Sequence, residues 1–355
     1  MQFWIMKSGL PVLDAVRAYG LAVLLASADE SQVSSPRIND AGHMYLLELE
    51  SGSLKRKRLL QNLEWQSYFS IPDKATSLGP SWSFVFVTTK GAAAKTKNVA
   101  SVRNVLENDF DDIVSQSQKT GLLPRFSGET LPGGLEPSAF KGSKSVTRTR
   151  YEEAQTELDR WNWALACLGG SLALRYIWQD RKIFALCPLP ESIEYRSFRE
   201  IRNVTFGKGL RYHSLQAAAA HYSVVLAEAI RSRRAVHVDF SDRYSDIVYF
   251  SLFLTGNQWK PSGAGRVSLH KLLDMAFKDE VSSAKVFAVW DYLFRRGSVR
   301  GSEDLAEAIT SLVIDPSLGN FERHNRILLS YIGKKEVKMS NLYDSQSLEE
   351  VICYV

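Results

Sequence analysis

The sequence predicts an α+β fold: a mixed α/β N-terminal body over residues 1–265, followed by a C-terminal α-helical bundle over residues 266–355. Two observations predict this division. Up to residue 265, short apolar runs typical of strands are interspersed with segments of helical periodicity. From residue 267 to residue 335, four helical stretches follow one another across short turns, as in an antiparallel bundle. A chain of 355 residues is long enough for two or three domains, or for one large domain with an appendage.

The N-terminal body begins with a predicted buried helix over residues 9–28, with Ser8 as its N-cap and Pro11 in its first turn. This apolar segment is similar to a secretion signal, but Pro11 and Asp14 do not fit the short basic stretch that opens one. The elements predicted next are a strand in HMYLLELE (43–50), a strand in SWSFVFVTTKG (81–91), a helix (98–121) and a linker rich in Gly, Pro and Ser (122–150).

The second half of the body is predicted to start with a long helix at Tyr151, whose end is marked by Gly169 and Gly170. The elements predicted after it are a strand that ends at prolines (182–190), a helix within residues 206–235, strands in VHVDF (236–240) and IVYFSLFL (247–254), and a loop, TGNQWKPSGAGR (255–266).

The composition is that of a globular protein, with 45% apolar and 23% charged residues. The three cysteines (Cys167, Cys187 and Cys353) have no metal-ligand spacing, which favours a reducing, cytoplasmic location and buried thiols. The apolar run from Trp161 to Leu174 is too short to span a bilayer, so no membrane anchor is expected. The sequence contains no motif for a nucleotide, metal or dinucleotide cofactor, and we expect no cofactor.

Positive charge is concentrated in the middle of the chain. The net charge is +5, and residues 141–234 hold sixteen Lys and Arg against nine Asp and Glu, a surplus of seven. The remaining residues therefore sum to −2. Clustered cations of this kind are typical of proteins that bind a polyanion, although a solvated basic surface without a partner has the same composition.

Three segments of the chain carry cations in a form suited to phosphate. Residues 137–151 contain no acid and alternate cations with hydroxyl side chains, residues 195–213 interleave arginines with aromatic residues, and FRRGSVRGS (294–302) lies at a predicted turn. Arginine forks and neutral hydroxyl donors both bind phosphate oxygens. The alternative for the first segment is a soluble linker. The predicted contacts to the DNA or RNA backbone are Lys141, Lys144, Arg148, Arg150, Arg196, Arg199, Arg202, Lys208, Arg211, Arg295, Arg296 and Arg300.

Residues 255–266 combine glycines, which allow close approach of the backbone, with polar side chains that can contact base edges. The candidates for reading a short DNA motif are Asn257, Gln258 and Lys260, and Trp259 could wedge between separated bases. The alternative is an interdomain linker with Trp259 packed in the core.

One acidic cluster suggests a different function. His237, Asp239, Asp242 and Asp246 lie within HVDFSDRYSD and could hold Mg²⁺ or Mn²⁺ for phosphodiester hydrolysis. Their spacing matches no established ligand set, and Asp and Ser are common turn residues, so a polar turn competes with the metal site.

The phrase GLPVLDAVRAYGLAVLLA (residues 9–26) resembles the opening of large subunits from type I CRISPR surveillance complexes (Cascade) of the I-A/I-B-like group. The layout of a mixed α/β body and a C-terminal helical bundle is similar as well. The resemblance implies a non-catalytic subunit in antiviral defence that binds the 5′ end of a guide RNA. Such a subunit examines double-stranded target DNA for the protospacer-adjacent motif and helps to open the duplex, while base pairing reads the target.

The implied partners are the guide RNA, target double-stranded DNA, and the backbone and guide-end-capping subunits of the complex. Small subunits and a recruited helicase-nuclease, or a transposition adaptor in transposon-encoded relatives, are further partners that the resemblance implies. In related large subunits a glycine loop, a lysine and an amide side chain read the motif. A metal-dependent nuclease and a stand-alone nucleic-acid-binding module remain the alternatives.

Overall fold

The computed structural model describes residues 1–31, 35–50, 52–62, 85–86, 92–136, 144–147, 150–153, 156–202, 210–236, 240–256, 258–278, 280–338 and 342–355. These residues form two compact units. The first comprises Met1–Asn203 and Phe250–Ala264, and the second comprises Val204–Tyr249 and Gly265–Val355. The structure confirms the predicted α+β class, with an antiparallel sheet and a helical C-terminal region.

The first unit contains the elements that surround its sheet. Its helices are α1 (Pro11–Ala28), α2 (Arg56–Asn62), α3 (Ala92–Asn108), α4 (Phe110–Lys119), α5 (Arg160–Ala173) and α6 (Tyr195–Ile201). Its strands are β1 (Gln2–Met6), β2 (Arg37–Asp40), β3 (Met44–Glu48), β4 (Glu129–Thr130), β5 (Lys144–Thr147), β6 (Arg150–Glu153), β7 (Glu157–Leu158), β8 (Arg175–Gln179) and β9 (Lys182–Glu194). Two further strands, β10 (Arg243–Thr255) and β11 (Gln258–Ser268), contain residues of both units.

The main sheet has the strand order β1-β3-β2-β9-β10-β11, and β8 also pairs with β9. β9 continues through the two prolines at which the sequence predicted its end. The pairing of β8 reaches Leu186, and the pairing of β2 starts at Ser192. Pro188 and Pro190 lie in the gap between these two neighbours, where a missing N–H removes no ladder bond to either of them.

Helix α1 confirms the predicted buried helix and packs against α5 through glycines. A Cβ at Gly20 would overlap the carbonyl group of Leu165, and a Cβ at Gly169 would overlap the carbonyl oxygen of Val16. The prediction that Gly169 and Gly170 end their helix is therefore wrong. α5 continues to Ala173, because Gly169 allows close contact with α1 instead of ending the helix.

The predicted start of this helix at Tyr151 is also wrong. Residues 150–153 form strand β6, which pairs with β5, and α5 begins at Arg160 behind Asp159. The Asp159 side chain accepts a hydrogen bond from the Asn162 amide and so caps the helix. The predicted linker 122–150 likewise contains short strands in its described part, β4 and β5.

Asp14 and Arg17 of α1 form a buried ion pair that ties the first unit together. Asp14 accepts hydrogen bonds from the Ser8 hydroxyl and amide, so Ser8 binds Asp14 rather than capping the helix as predicted. The Arg17 guanidinium donates to the carbonyl oxygens of Met6 and Leu122 and to Asn162 Oδ1. Burial lowers the pKa of Arg17 to about 10, opposed by Asp14, so the side chain stays protonated at neutral pH.

One described helix, α1, is long and apolar enough to span a membrane by length and composition. Within the protein, 83% of its 18-residue window is buried. α1 is therefore the central core helix of the first unit. Its packing against α5, β1 and β9 accounts for its apolar composition.

The second unit is mainly helical. Its helices are α7 (Leu215–Val236), α8 (His270–Lys278), α9 (Glu280–Gly297), α10 (Glu303–Ile314), α11 (Leu318–Gly333) and α12 (Ser345–Tyr354). α8 to α11 confirm the four predicted helical stretches. α9 packs against α7, α10 and α12, with the fully buried Trp290 at its centre. The unit is larger than the predicted bundle, because α7 and the first part of β10 cluster with the C-terminal helices.

Candidate nucleic-acid interface

The basic segment 141–151 contains a β-hairpin in its described part. β5 pairs with β6 in antiparallel register, which places Lys144 opposite Glu153 and Ser145 opposite Glu152. Residues directly opposite in such a pair lie on the same face. The register therefore pairs positions of the acid-free stretch with positions of the acidic segment that follows it, which the sequence alone did not reveal.

The arginines of residues 195–202 lie on a short helix, as their spacing predicted. Arg196 and Arg199 are exposed on α6, and Arg202 is the half-buried C-cap residue. The Arg199 guanidinium lies 6.0 Å from the centroid of the Tyr195 ring. The opposite face is buried, where Phe198 packs against Tyr19 with ring centroids 4.5 Å apart. Helix α6 therefore exposes Arg196 and Arg199 to solvent, while Phe198 anchors its opposite face against Tyr19.

The segment predicted as the loop 255–266 forms the end of a hairpin instead. β10 ends at Thr255, Gly256 turns with φ +58°, and β11 starts at Gln258. The sequence obscured this strand because Pro261 and the glycines argue against one. Among the described strands β11 is the last in the sheet order, and an edge strand tolerates proline because one side of its backbone makes no ladder bonds.

Trp259 lies neither in a loop nor in the core. It is half-buried, and its ring meets Trp178 of β8 edge-on, with centroids 5.5 Å apart and an interplanar angle of 77°. The Trp178 side chain is 46% exposed. Lys260, next to Trp259, is exposed. The structure therefore places Trp259, a predicted motif-reading residue, in contact with Trp178, which was not among the residues predicted from the sequence.

The β8–β9 turn completes this surface. Asp180 occupies the left-handed region with φ +52°, and Arg181 and Lys182 follow it, both exposed. The Leu254 amide donates to the Arg181 carbonyl over 2.8 Å, which fixes the turn beside the end of β10. We call Trp178, Trp259 and the exposed cations nearest to them in the chain (Arg181, Lys182 and Lys260) the tryptophan corner. In the sequence, the signal for the β8–β9 part was Trp178 followed, after Gln179, by a turn residue and two cations.

Some of the predicted cations of the second unit form ion pairs within the protein. Arg295 pairs with Asp291 and Arg296 with Glu336, each over 2.7 Å, and Arg296 also donates to Ser302 Oγ. Arg300 is exposed in the turn before α10, and Arg211 is exposed ahead of α7. Two of the three cations predicted in residues 294–302 therefore already have carboxylate partners.

Two residues of the acidic cluster lie in the described structure, and both are buried. Asp242 is 1% exposed and Asp246 is 6% exposed, and Asp246 forms an ion pair with Arg266. His, Cys, Asp and Glu form no group of three or more suited to a metal ion within the described part of the chain. The Asp246 carboxylate therefore already has a guanidinium partner.

Several predicted site residues lie outside the described residues: Lys141, Arg148, Lys208, His237, Asp239 and Asn257. Most of the predicted strand 81–91 lies outside them as well. For Lys144, Arg150 and Gln258 the structure describes the backbone only, in β5, β6 and β11.

No protein-family model matches the chain. The chain is similar to a protein of Archaeoglobus fulgidus that is described as uncharacterized. The two sequences are 26% identical over 372 aligned residues, which cover 100% of this chain and 98% of the relative. The similarity therefore spans both compact units rather than one of them.

Proposed function

We propose that this chain is the non-catalytic large subunit of an RNA-guided CRISPR complex. In this role it acts in the cytoplasm with a guide RNA, the backbone and guide-end-capping subunits, and target double-stranded DNA. It reads the protospacer-adjacent motif and aids duplex opening, and cleavage or transposition belongs to a separate recruited protein. Small subunits of the complex are further partners in this proposal.

The tryptophan corner is the observation that carries this proposal. Two aromatic rings lie in contact and partly exposed, and Arg181, Lys182 and Lys260 are exposed within a few residues of them in the chain. No carboxylate in the described parts of the chain forms an ion pair with these three cations. Aromatic surface combined with unneutralised cations favours nucleic acid over a neutral small molecule. The resemblance supports the proposal less directly. The residues that carry the resemblance lie mostly in the buried helix α1, where Asp14 and Arg17 bind each other and not a ligand.

RNA content tests the proposal. The tagged full chain is expressed together with the products of its neighbouring reading frames and purified, and the bound RNA is sequenced. We expect short RNAs of uniform length whose 5′ ends derive from a CRISPR repeat, because the large subunit contacts that end of the guide.

An unrelated tagged protein, expressed with the same reading frames, is the control for RNA carried over during purification. Bound RNA of random host origin would favour a stand-alone nucleic-acid-binding module. Purification of the chain without any RNA or partner subunit would contradict the proposal.

A further inference from the structure

Two arginines of the second unit converge on one aromatic ring. Arg234, in the last turn of α7, has its guanidinium carbon 4.7 Å from the centroid of the Phe277 ring of α8. Arg243, the first residue of β10, has its guanidinium carbon 5.2 Å from the same centroid. The two carbons therefore lie no farther apart than the sum of these distances. Since Arg243 is exposed and Arg234 is half-buried, two like charges are held together at the surface.

Carboxylates of this region do not neutralise the two charges. Neither Arg234 nor Arg243 forms an ion pair with a carboxylate of the described residues, whereas Arg231 of the same helix pairs with Glu228 over 2.7 Å. Asp242, next to Arg243 in the chain, is buried. The repulsion between two neighbouring guanidinium groups therefore remains, and an external anion that contacts both would relieve it.

The two guanidinium groups are positioned before a ligand arrives. Arg234 Nη1 donates to the Phe277 carbonyl oxygen over 3.3 Å, in the last turn of α8, and its charge also lies against the ring. Tyr244, the residue after Arg243, is fully buried and anchors the start of β10. Arg243 makes no hydrogen bond to an acceptor of the described residues, so its N–H groups are available to a ligand. Such preorganisation lowers the entropy cost of binding.

We propose that Arg234 and Arg243 form a phosphate-binding site beside Phe277. Each guanidinium presents its N–H groups as a fork that matches two oxygens of a phosphate. Two such forks match a phosphate group in charge better than they match a single carboxylate. The phosphate belongs either to a nucleic-acid backbone or to a small molecule, since both present the same oxygens. Neither arginine was among the backbone contacts predicted from the sequence, and the site does not depend on the proposed function.

Titration of the full wild-type chain with both kinds of phosphate tests the site. The probes are inorganic phosphate, followed by phosphorus NMR, and a fluorescent single-stranded dT 12-mer, followed over a series of salt concentrations. Arg243→Gln should weaken the binding of inorganic phosphate about tenfold, because it removes a charge-assisted fork. If the site binds a nucleic-acid backbone, the same variant should also lower the log–log slope of dT affinity against salt by about 0.7.

Two further variants assign the effect to this position. Arg326→Gln is the matched control, because it removes one exposed arginine from α11 of the same unit, and it should change neither measurement. Arg243→Lys keeps the charge without the fork, so it should retain the salt slope of the dT probe. Thermal unfolding of each variant reports whether it is folded.

The outcomes decide both the site and the source of the phosphate. Weaker binding of inorganic phosphate alone supports the site and assigns it to a small phosphate, and a lower slope with dT assigns it to a nucleic-acid backbone. A wild-type chain that binds neither probe, or binding that Arg243→Gln leaves unchanged, overturns the site. Binding that appears only after Asp279→Asn and Glu280→Gln also overturns it, because carboxylates of the chain would then neutralise the arginines. The RNA content of the purified chain tests the proposed function separately.

Discussion

Two histidines of the second unit are buried in polar networks that require neutral rings. His221 is held between Tyr212 and Asp291, with its Nδ1 2.8 Å from the tyrosine hydroxyl and its Nε2 2.7 Å from the carboxylate. The ring donates to Asp291 through Nε2 and accepts from Tyr212 through Nδ1. Asp291 also pairs with Arg295. Arg295 therefore has a structural role, because its ion pair with Asp291 belongs to the network around His221.

His324 is the second of these histidines. The Trp290 indole donates to the Tyr343 hydroxyl over 2.8 Å, and that hydroxyl in turn lies 3.3 Å from His324 Nε2. Burial lowers the pKa of His324 to about 4 and also lowers the pKa of His221, in both cases because charge is costly away from water.

These pKa shifts predict a loss of stability in mild acid. Below about pH 6.5 each histidine binds a proton in the unfolded chain but not in the folded one, so the free energy of unfolding falls as the pH drops. For His324 alone, the shift corresponds to roughly 2 kcal/mol lost between pH 7.5 and pH 5. Urea unfolding of the full chain at a series of pH values measures this loss.

The control for this experiment lies in the same unit. His324→Gln should flatten the pH dependence, whereas His270→Gln, at an exposed position, should leave it unchanged. A wild-type protein equally stable at pH 7.5 and pH 5 would contradict the assignment of neutral buried histidines.

At the scale of elements, the close packing of α1 against α5 depends on individual glycines. Gly169 meets the backbone of α1, whereas Gly170 meets the Leu135 side chain. A backbone carbonyl cannot move without shifting its helix, but the end of a leucine side chain can adopt another rotamer. The two neighbouring glycines are therefore not equivalent.

Substitution by alanine separates the two positions. Gly169→Ala should destabilise the first unit by about 3 kcal/mol, because the added methyl group forces the two helices apart. Gly170→Ala should stay within about 1 kcal/mol of the wild type, since the better helix propensity of alanine offsets part of the local strain. Thermal unfolding compares the variants, and equal destabilisation at both positions would contradict the proposed difference.

At the scale of the whole molecule, two groups of cations can be distinguished among the described residues. Arg17, Arg266, Arg295 and Arg296 pair with internal carboxylates and stabilise the fold. The cations of the tryptophan corner and the β5–β6 hairpin remain candidates for an external polyanion. In the hairpin, the register pairs Lys144 with Glu153 and Ser145 with Glu152.

Salt dependence measures the contribution of the hairpin. Replacing Lys144, Arg148 and Arg150 with Gln should weaken binding about equally across nucleic-acid sequences. The log–log slope of affinity against salt should fall by roughly one unit for each phosphate that the variant no longer binds. Lys119→Gln, an exposed lysine at the end of α4, is the matched control and should leave the slope unchanged. An unchanged slope in the triple variant would mean that these cations bind no phosphate.

The sequence by itself determined the features that depend on short-range pattern. The apolar helix at residues 9–28, the strand in residues 247–254 and the four helical stretches after residue 267 were all readable, because helix and strand periodicities are properties of neighbouring residues. The exposure of Arg196 and Arg199 on one short helix followed from their spacing in the same way.

Only the tertiary structure decided which distant residues meet. Gly169 lies inside a helix at a point where Val16 of another helix leaves no room for a side chain. Trp259 packs against Trp178, a residue far away in the sequence. Glu152 and Glu153 are paired in register with Ser145 and Lys144 only because the chain forms a hairpin, and Arg295 pairs with a carboxylate that also binds His221. Interactions of this kind depend on packing between elements, and no local pattern records them.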